Sequence, residues 1–341
     1  MSSIVYHEEY GDLNDLAGRQ VGIIGYGNLG RPIALNLRDS GVEVAVAEND
    51  AKRQALAVSE GFHALPAPQI VTQSSIIMLL VPDEIMPHIY LQQVSPHLKR
   101  GDTLIFASSY NVAFGFIEAP PFVDVGLVAP RTLGVAVRER YLSDRGFYSF
   151  VAVGQDASGR AWNTVLALAK AVGSLRPDAG AVEIGFEREA ELDLFVQQAV
   201  LPMLHHVLVP AAQILMDAGY SPEAAFTDLY LSGELEDVLQ RAATEGLFPA
   251  LRLASLTSQY GTFSRMERFD DLKLNRLMEV TLEEIRSGAF AREWAKEYGD
   301  GYHRLRKLLR AQSKLDLWQF EQQAIDMLHP DRDPDDSAFE V

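Results

Sequence analysis

Val21-Gly22-Ile23-Ile24-Gly25-Tyr26-Gly27-Asn28-Leu29-Gly30, followed by Arg31-Pro32, decides the fold. Four residues read as a buried strand, a tight glycine turn follows, and a helix opens at Arg31-Pro32. Gly25, Gly27 and Gly30 fit the pattern G-x-G-x-x-G. Its glycines let the backbone turn sharply, approach a pyrophosphate closely and pack a helix against a strand. The new helix offers free N–H groups and a positive dipole end to the phosphates. A bare G-x-G-x-x-G is often only a turn. Here the strand before it and the helix pattern after it are both present, so Gly25, Tyr26, Gly27, Asn28, Leu29 and Gly30 are read as a dinucleotide site.

Strand and helix patterns alternate downstream of this turn. A second strand is expected at 42–47 and a helix over 51–61. The continuous apolar runs at 76–81, 103–107 and 123–128 are those of parallel strands covered on both faces. A further strand at 150–153 and a helix over 159–172 complete the alternation. It predicts an α/β doubly wound parallel sheet over residues 1–182. From Phe186 helical periodicity takes over: Leu192, Phe195, Val196, Ala199, Val200, Met203, Leu204 and Val207 keep one face apolar. More helices are expected from Pro222 and over 281–287, 289–298 and 303–327. Residues 183–329 therefore read as an all-helical domain. The Asp- and Pro-rich segment 330–341 reads as a disordered acidic tail.

Composition narrows the function classes. The chain has 341 residues, 48% of them hydrophobic, enough for about two domains. Its formal net charge of −17 argues against nucleic acid and anionic membranes as partners. There is no cysteine, hence no disulfide, thiolate metal site or cysteine nucleophile. The polar, acidic N-terminus shows no signal-peptide core. No apolar run reaches the roughly 18 residues of a membrane helix, so no span is expected. These features are compatible with a cytoplasmic protein acting on a small molecule.

Glu48 ends the second strand, 23 residues beyond Gly25. An acidic residue there can accept the ribose hydroxyls of an adenosine and repel a 2′-phosphate, which favours NADH. Lys52 and Arg53 follow closely and suit a 2′-phosphate, which keeps NADPH open.

These residues resemble the ketol-acid reductoisomerase family. The glycine turn is similar to the family's loop, and Leu80-Val81-Pro82-Asp83-Glu84 to its strand-end motif. Phe106-Ala107-Ser108-Ser109-Tyr110-Asn111 lies where the family has Phe-Ala-His-Gly-Phe-Asn, and Val128-Ala129-Pro130-Arg131 where it has Val-Ala-Pro-Lys. Asp193-Leu194-Phe195-Val196-Gln197-Gln198 stands in place of Asp-Leu-Phe-Gly-Glu-Gln. Gln155 to Gly159, Ala218 to Glu223 and Ser255 to Gly261 also match. The resemblance implies a Rossmann domain followed by a knotted helical domain. It also implies a homodimer with active sites at the subunit interface, and cofactor contacts at Val81, Pro82, Asp83 and Ser108 beside the glycine turn. The family reaction moves an alkyl group within a 2-acetohydroxy acid, then reduces the new ketone with NAD(P)H. The migration uses two Mg²⁺ ions held by paired carboxylates, as hard cations prefer.

The chain departs from that pattern at the sites of chemistry. Gln197 stands four residues after Asp193, where the family has Glu. Asp228 replaces the first Glu of the second pair. The second falls on Ser232, or on Glu234 if two residues are inserted. On a regular helix Glu234 lies about 240° round from Asp228, at roughly 100° per residue. Ser108 replaces a histidine. Arg131 replaces a lysine with a planar fork suited to carboxylates. These departures lead to an expectation of a reductase that has lost the isomerase step, acts on an imine or ketone carrying a carboxylate, and uses no Mg²⁺. Asp193 is its leading proton donor, with Tyr110 and Glu234 as alternatives. Arg131 is read as a carboxylate anchor, and Ser255 as a substrate contact or a helix cap. Two alternatives stand beside this reading: an authentic Mg²⁺-dependent ketol-acid reductoisomerase, and a non-catalytic NAD(H)-binding protein.

Overall fold

The apolar runs become the centre of a nine-stranded sheet. The computed structural model describes residues 3–269 and 272–330. Its strands are β1 (Val5–Tyr6), β2 (Val21–Ile24), β3 (Val44–Ala47), β4 (His63–Ala64), β5 (Ile76–Leu79), β6 (Thr103–Phe106), β7 (Asp124–Pro130), β8 (Ser149–Gln155) and β9 (Ala181–Glu183). Their spatial order is β1-β9-β8-β7-β6-β5-β2-β3-β4. From β4 to β7 all neighbours are parallel. Beyond β7 the sheet has a mixed edge: β8 is antiparallel to β7, and β1 to β9.

Every residue of β2, β5 and β6 is buried. Side chains alternate across a strand, so Ile76 and Met78 join one core while Ile77 and Leu79 join the other. The doubly wound α/β architecture is therefore the one the alternation predicts. The chain runs outward from β2 through β3 to β4, then returns to β5 on the other side of β2. Such a switch point opens a ligand crevice beyond the carboxyl ends of the strands. The glycine turn, the segment after β5, the loop after β6 and Arg131 after β7 all leave the sheet at that edge.

The chain divides into two compact units, residues 1–193 and residues 194 onward. Among the described residues no strand follows Glu183. The second unit is helical, with a core of Ala212, Phe226, Leu317 and Ala324 lined by Tyr230 and Trp318. The single helix expected over 303–327 is two, His303–Gln312 and Leu317–Leu328. The proposed tail from 331 to 341 lies outside the described residues.

Two helical expectations need correction. Phe186–Asp217 is one continuous helical run of 32 residues, long and apolar enough to cross a membrane by length and composition alone. Polar residues interrupt its apolar face without ending the helix. The run is also not regularly α-helical. Val196–Val200 forms a π turn, as does Thr227–Leu231 further on. Much of its apolar face, including Leu192, Val196, Val200, Leu204 and Val207, is exposed in the single chain.

Candidate active site

Two glycines of the turn are required by contact. Gly25 has φ +105°, and a Cβ there would lie 2.6 Å from the carbonyl oxygen of Leu80. A Cβ on Gly30 would overlap the carbonyl oxygen of Gly25. Around Gly27 there is open space, as a phosphate-facing position needs. Asn28 is exposed and Leu29 half-buried beside it. Tyr26 contributes backbone only. Its ring packs on Phe62, and its hydroxyl donates to Glu60 at 2.7 Å.

Glu48 does not present its carboxylate to a ribose. It accepts N–H bonds from Tyr26 (2.8 Å), Asn49 (2.7 Å) and Asp50 (2.8 Å), and Arg53 Nε lies 3.2 Å away. Burial pushes its pKa up, but the N–H groups of Asp50 and Tyr26 and the Arg53 guanidinium outweigh it and hold the carboxyl below its ordinary range. Glu48 thus braces the glycine turn and tethers Arg53, whose side chain is half exposed.

A polar cluster lies where β5, β6 and β7 end. Val81 and Pro82 lead to Asp83. Asn111 Nδ2 donates to the Asp83 carbonyl oxygen (3.0 Å) and to Oδ1 (3.2 Å). Ser108 Oγ donates to Asp83 Oδ2 at 3.4 Å. Burial, and then the neighbouring Glu84 charge, push the Asp83 carboxyl up to about 6. Next in the loop, Ser109 donates to Glu189 through its N–H (3.0 Å) and Oγ (2.5 Å). Tyr110 is buried against Phe114 and Phe116, its hydroxyl without a partner and its pKa pushed up to about 12 by burial and by Asp83.

Arg131 bridges two carboxylates on the helix Phe186–Phe195. Its Nη1 lies 3.3 Å from Glu189 and its Nη2 2.8 Å from Asp193, and its guanidinium covers the Phe150 ring at 5.0 Å. Glu189 is almost fully buried, and burial raises its pKa against the opposing Ser109 and Arg131 contacts. Arg131 is therefore held by the protein's own carboxylates, and Asp193 accepts from a guanidinium. Sequence reasoning missed Glu189, Ser109 and Asn111. The available signal was that Glu189 stands one helical turn before Asp193, though acidic residues near a helix start are usually solvated.

The other candidates belong to the helical unit. Gln197 is exposed within the π turn Val196–Val200, and Asp228 within Thr227–Leu231. Gly233, with φ +81°, stands immediately before the helix Glu234–Glu245, which Glu234 begins. Ser255 caps the helix Leu256–Phe263, accepting from Ser258 N at 3.2 Å. Among the described residues no three His, Asp or Glu side chains gather as a ligand cluster.

Two family models match in succession. Acetohydroxy acid isomeroreductase, NADPH-binding domain, covers residues 15–178, and ketol-acid reductoisomerase, C-terminal domain, covers 186–329. The chain belongs to the ketol-acid reductoisomerase family. It is 38% identical over 307 residues to the ketol-acid reductoisomerase (NADP(+)) of Pyrobaculum aerophilum, covering 89% of this chain and 92% of that protein. It is 35% identical over 312 residues to the ketol-acid reductoisomerase (NADP(+)) of Kocuria rhizophila, covering 91% and 90%. A solved NADH-preferring ketol-acid reductoisomerase from an uncultured archean superposes with TM-score 0.87 at 30% identity, covering 94% of this chain and 98% of that one.

The chain is thus an NAD(P)H-dependent oxidoreductase of this family. The expectation of an imine or ketone reductase without isomerase chemistry is overturned: relatives matched along nearly the whole chain are ketol-acid reductoisomerases. The NADH preference falls with it, against a family model described as NADPH-binding and relatives named for NADP(+). Its structural basis also fails, because Glu48 is turned into the glycine loop. The expectation that Mg²⁺ is dispensable is corrected on the same family membership. It rested on the neutral Gln197, the shorter Asp228 and, for Glu234 alone, the angle of a regular helix. The π turn Thr227–Leu231 and the left-handed Gly233 remove the last of these premises.

Proposed function

We propose that this chain is a ketol-acid reductoisomerase that takes a 2-acetohydroxy acid, uses Mg²⁺ and oxidises NADPH. The observation that carries the reading is the unbroken succession of the two family models over residues 15–178 and 186–329. The glycine turn and the N-terminus of the helix Gly30–Asp39 bind the pyrophosphate. Arg53, released from Glu48, suits a 2′-phosphate. Leu80 to Asp83 and Ser108 border the nicotinamide end of the crevice.

The donor set fits a hard cation in its chemistry. Asp193, Asp228 and Glu234 offer carboxylate oxygens, and Gln197 an amide oxygen. Oxygen donors of this kind would suit Mg²⁺, which when bound would supply Lewis-acid polarisation of the substrate. Arg131 keeps Asp193 and Glu189 in place and adds positive charge beside an anionic substrate. The exposed apolar face along Leu192 to Val207 supports a homodimer in which a second copy covers it, with Ser255 reaching substrate across that interface.

The test is NADPH oxidation with 2-acetolactate, with Mg²⁺ and with EDTA. Mg²⁺-dependent turnover that EDTA abolishes is the expected result. No turnover of 2-acetolactate under saturating Mg²⁺ and NADPH overturns the reading.

A further inference from the structure

Ser108, Ser109 and Tyr110 place three hydroxyls in succession on the loop after β6, and the structure gives each a different fate. Ser109 Oγ is taken up by Glu189 at 2.5 Å and by the Phe186 carbonyl oxygen at 2.7 Å. The Tyr110 hydroxyl is buried among rings. Ser108 is half-buried at the crevice and points its Oγ at Asp83 Oδ2. Asn111, itself buried, fixes the other oxygen of that carboxylate and its backbone carbonyl. Asp83 is therefore oriented toward a single hydroxyl. The remaining carboxylates of the cluster, Glu189 and Asp193, face the Arg131 guanidinium.

We propose that Asp83 and Ser108 form a two-way proton shuttle for one substrate oxygen, with Ser108 as the catalytic residue that touches it and Asp83 acting through Ser108. This rests on the proposed function. In the migration step the substrate's C2 hydroxyl becomes a carbonyl and must lose its proton. Ser108 Oγ accepts that proton as its own passes to Asp83 Oδ2. The C2–O π bond forms while the alkyl–C2 bond breaks. The alkyl group bonds to the neighbouring carbonyl carbon, and the oxygen left there takes a proton from water. In the reduction step the hydride comes from the reduced nicotinamide, and the same C2 oxygen must regain a proton. It takes the proton of Ser108 Oγ as the Asp83 O–H bond breaks and refills Ser108. Asp83 ends as the carboxylate with which it began.

The 3.4 Å separation is long for an O–H···O bond, but catalytic hydrogen bonds are often loose before substrate arrives. A carboxyl that titrates near 6 suits a group that accepts a proton in one step and returns it in the next. The groups facing Asp83 are Glu84, Glu189 and Asp193, with Tyr110 beside it.

Two substrates separate the two directions. Turnover of 2-acetolactate needs Asp83 ionised first, so kcat/KM is expected to rise through pH 6. Reduction of 3-hydroxy-3-methyl-2-ketobutyrate bypasses migration and needs Asp83 protonated, so kcat/KM is expected to fall through the same region. Asp83→Asn should remove both limbs and lower kcat about 100-fold on both substrates at saturating NADPH. Ser108→Ala, a milder change, should do the same to kcat. Ser108→His placed in the Asp83→Asn background should restore part of the turnover by supplying its own titrating group. Asp83→Asn retaining both limbs, or kcat within threefold of wild type, overturns the shuttle while leaving the proposed function intact. Wild type that reduces the keto acid but never turns over 2-acetolactate overturns the proposed function. In that case the shuttle's reduction half stands or falls by the pH limb of the second substrate. Wild type active on neither substrate overturns both.

Discussion

Arg131→Met should destabilise the first unit in a pH-dependent way, and the dependence identifies the cause. Arg131 makes three contacts of different character. Its bond to Glu189, at 3.3 Å, reaches a carboxyl almost fully withdrawn from water. Losing a charge-assisted bond to such a group costs ~2–3 kcal/mol while the group is ionised. Its bond to Asp193, whose side chain is about a third exposed, adds well under about 1 kcal/mol. Its stacking on Phe150 adds ~0.5–1 kcal/mol at any pH. Burial already raises the Glu189 pKa above its ordinary 4.5, and removing Arg131 raises it further. A carboxyl whose folded pKa exceeds its unfolded value binds more protons folded than unfolded. Its stabilising contribution is complete below the unfolded value and is lost as pH rises through the folded one. The loss is therefore expected to be about 3 kcal/mol at pH 8 and to fall toward about 1 kcal/mol as pH is lowered toward the ordinary carboxylate range. Trp162 reports on the first unit alone when Trp294 and Trp318 are replaced by Phe. Urea midpoints in that background, read with unchanged slopes, give the two losses. In a Glu189→Gln background the pH-dependent part should vanish. Equal losses at pH 5 and pH 8 would show that Arg131 acts by packing, and the electrostatic account of the cluster would be wrong.

Two further outcomes follow from the cofactor crevice. Gly30→Ala forces a methyl group onto the Gly25 carbonyl oxygen. It should cost about 2 kcal/mol of stability by overpacking and abolish measurable NADPH binding. Wild-type affinity in a fluorescence titration would contradict the close-approach argument. Arg53→Ala removes the cation that Glu48 tethers beside the glycine turn. It should weaken NADPH about tenfold, ~1.4 kcal/mol, and NADH much less. An equal effect on both cofactors would show that Arg53 does not meet the 2′-phosphate.

What the sequence made legible was what local physics dictates without help from distant residues. The strand–turn–helix around Gly25 was readable because only glycine satisfies its φ and its contacts. The buried parallel strands were readable because both faces must be apolar. The short strands β1, β4 and β9 were not, because two or three residues there borrow their pairing from a neighbour's backbone. Glu48 shows the same limit at the site. Its spacing from the glycine turn was right for a ribose contact, but three converging N–H groups claim its carboxylate. No property of a lone Glu at a strand end reports that convergence.

The largest error came from treating substitutions as losses on an assumed backbone. A four-residue spacing places two side chains on one face only if the helix between them is regular. The turn at 196–200 is π, as is the turn at 227–231, and π turns concentrate at functional positions. The turn at 227–231 and the left-handed Gly233 lie between Asp228 and Glu234, so their offset cannot be converted into an angle as on a regular helix. The same holds for charge. Arg131 in place of lysine reads in isolation as an anchor for a new substrate, yet its fork fits the spacing of Glu189 and Asp193 on their helix. A lysine has one compact ammonium and cannot bridge both carboxylates with the same planar geometry. The arginine is therefore accounted for by its own neighbours, and a change at a site of chemistry indicates a change of reaction only after the groups around it have been placed.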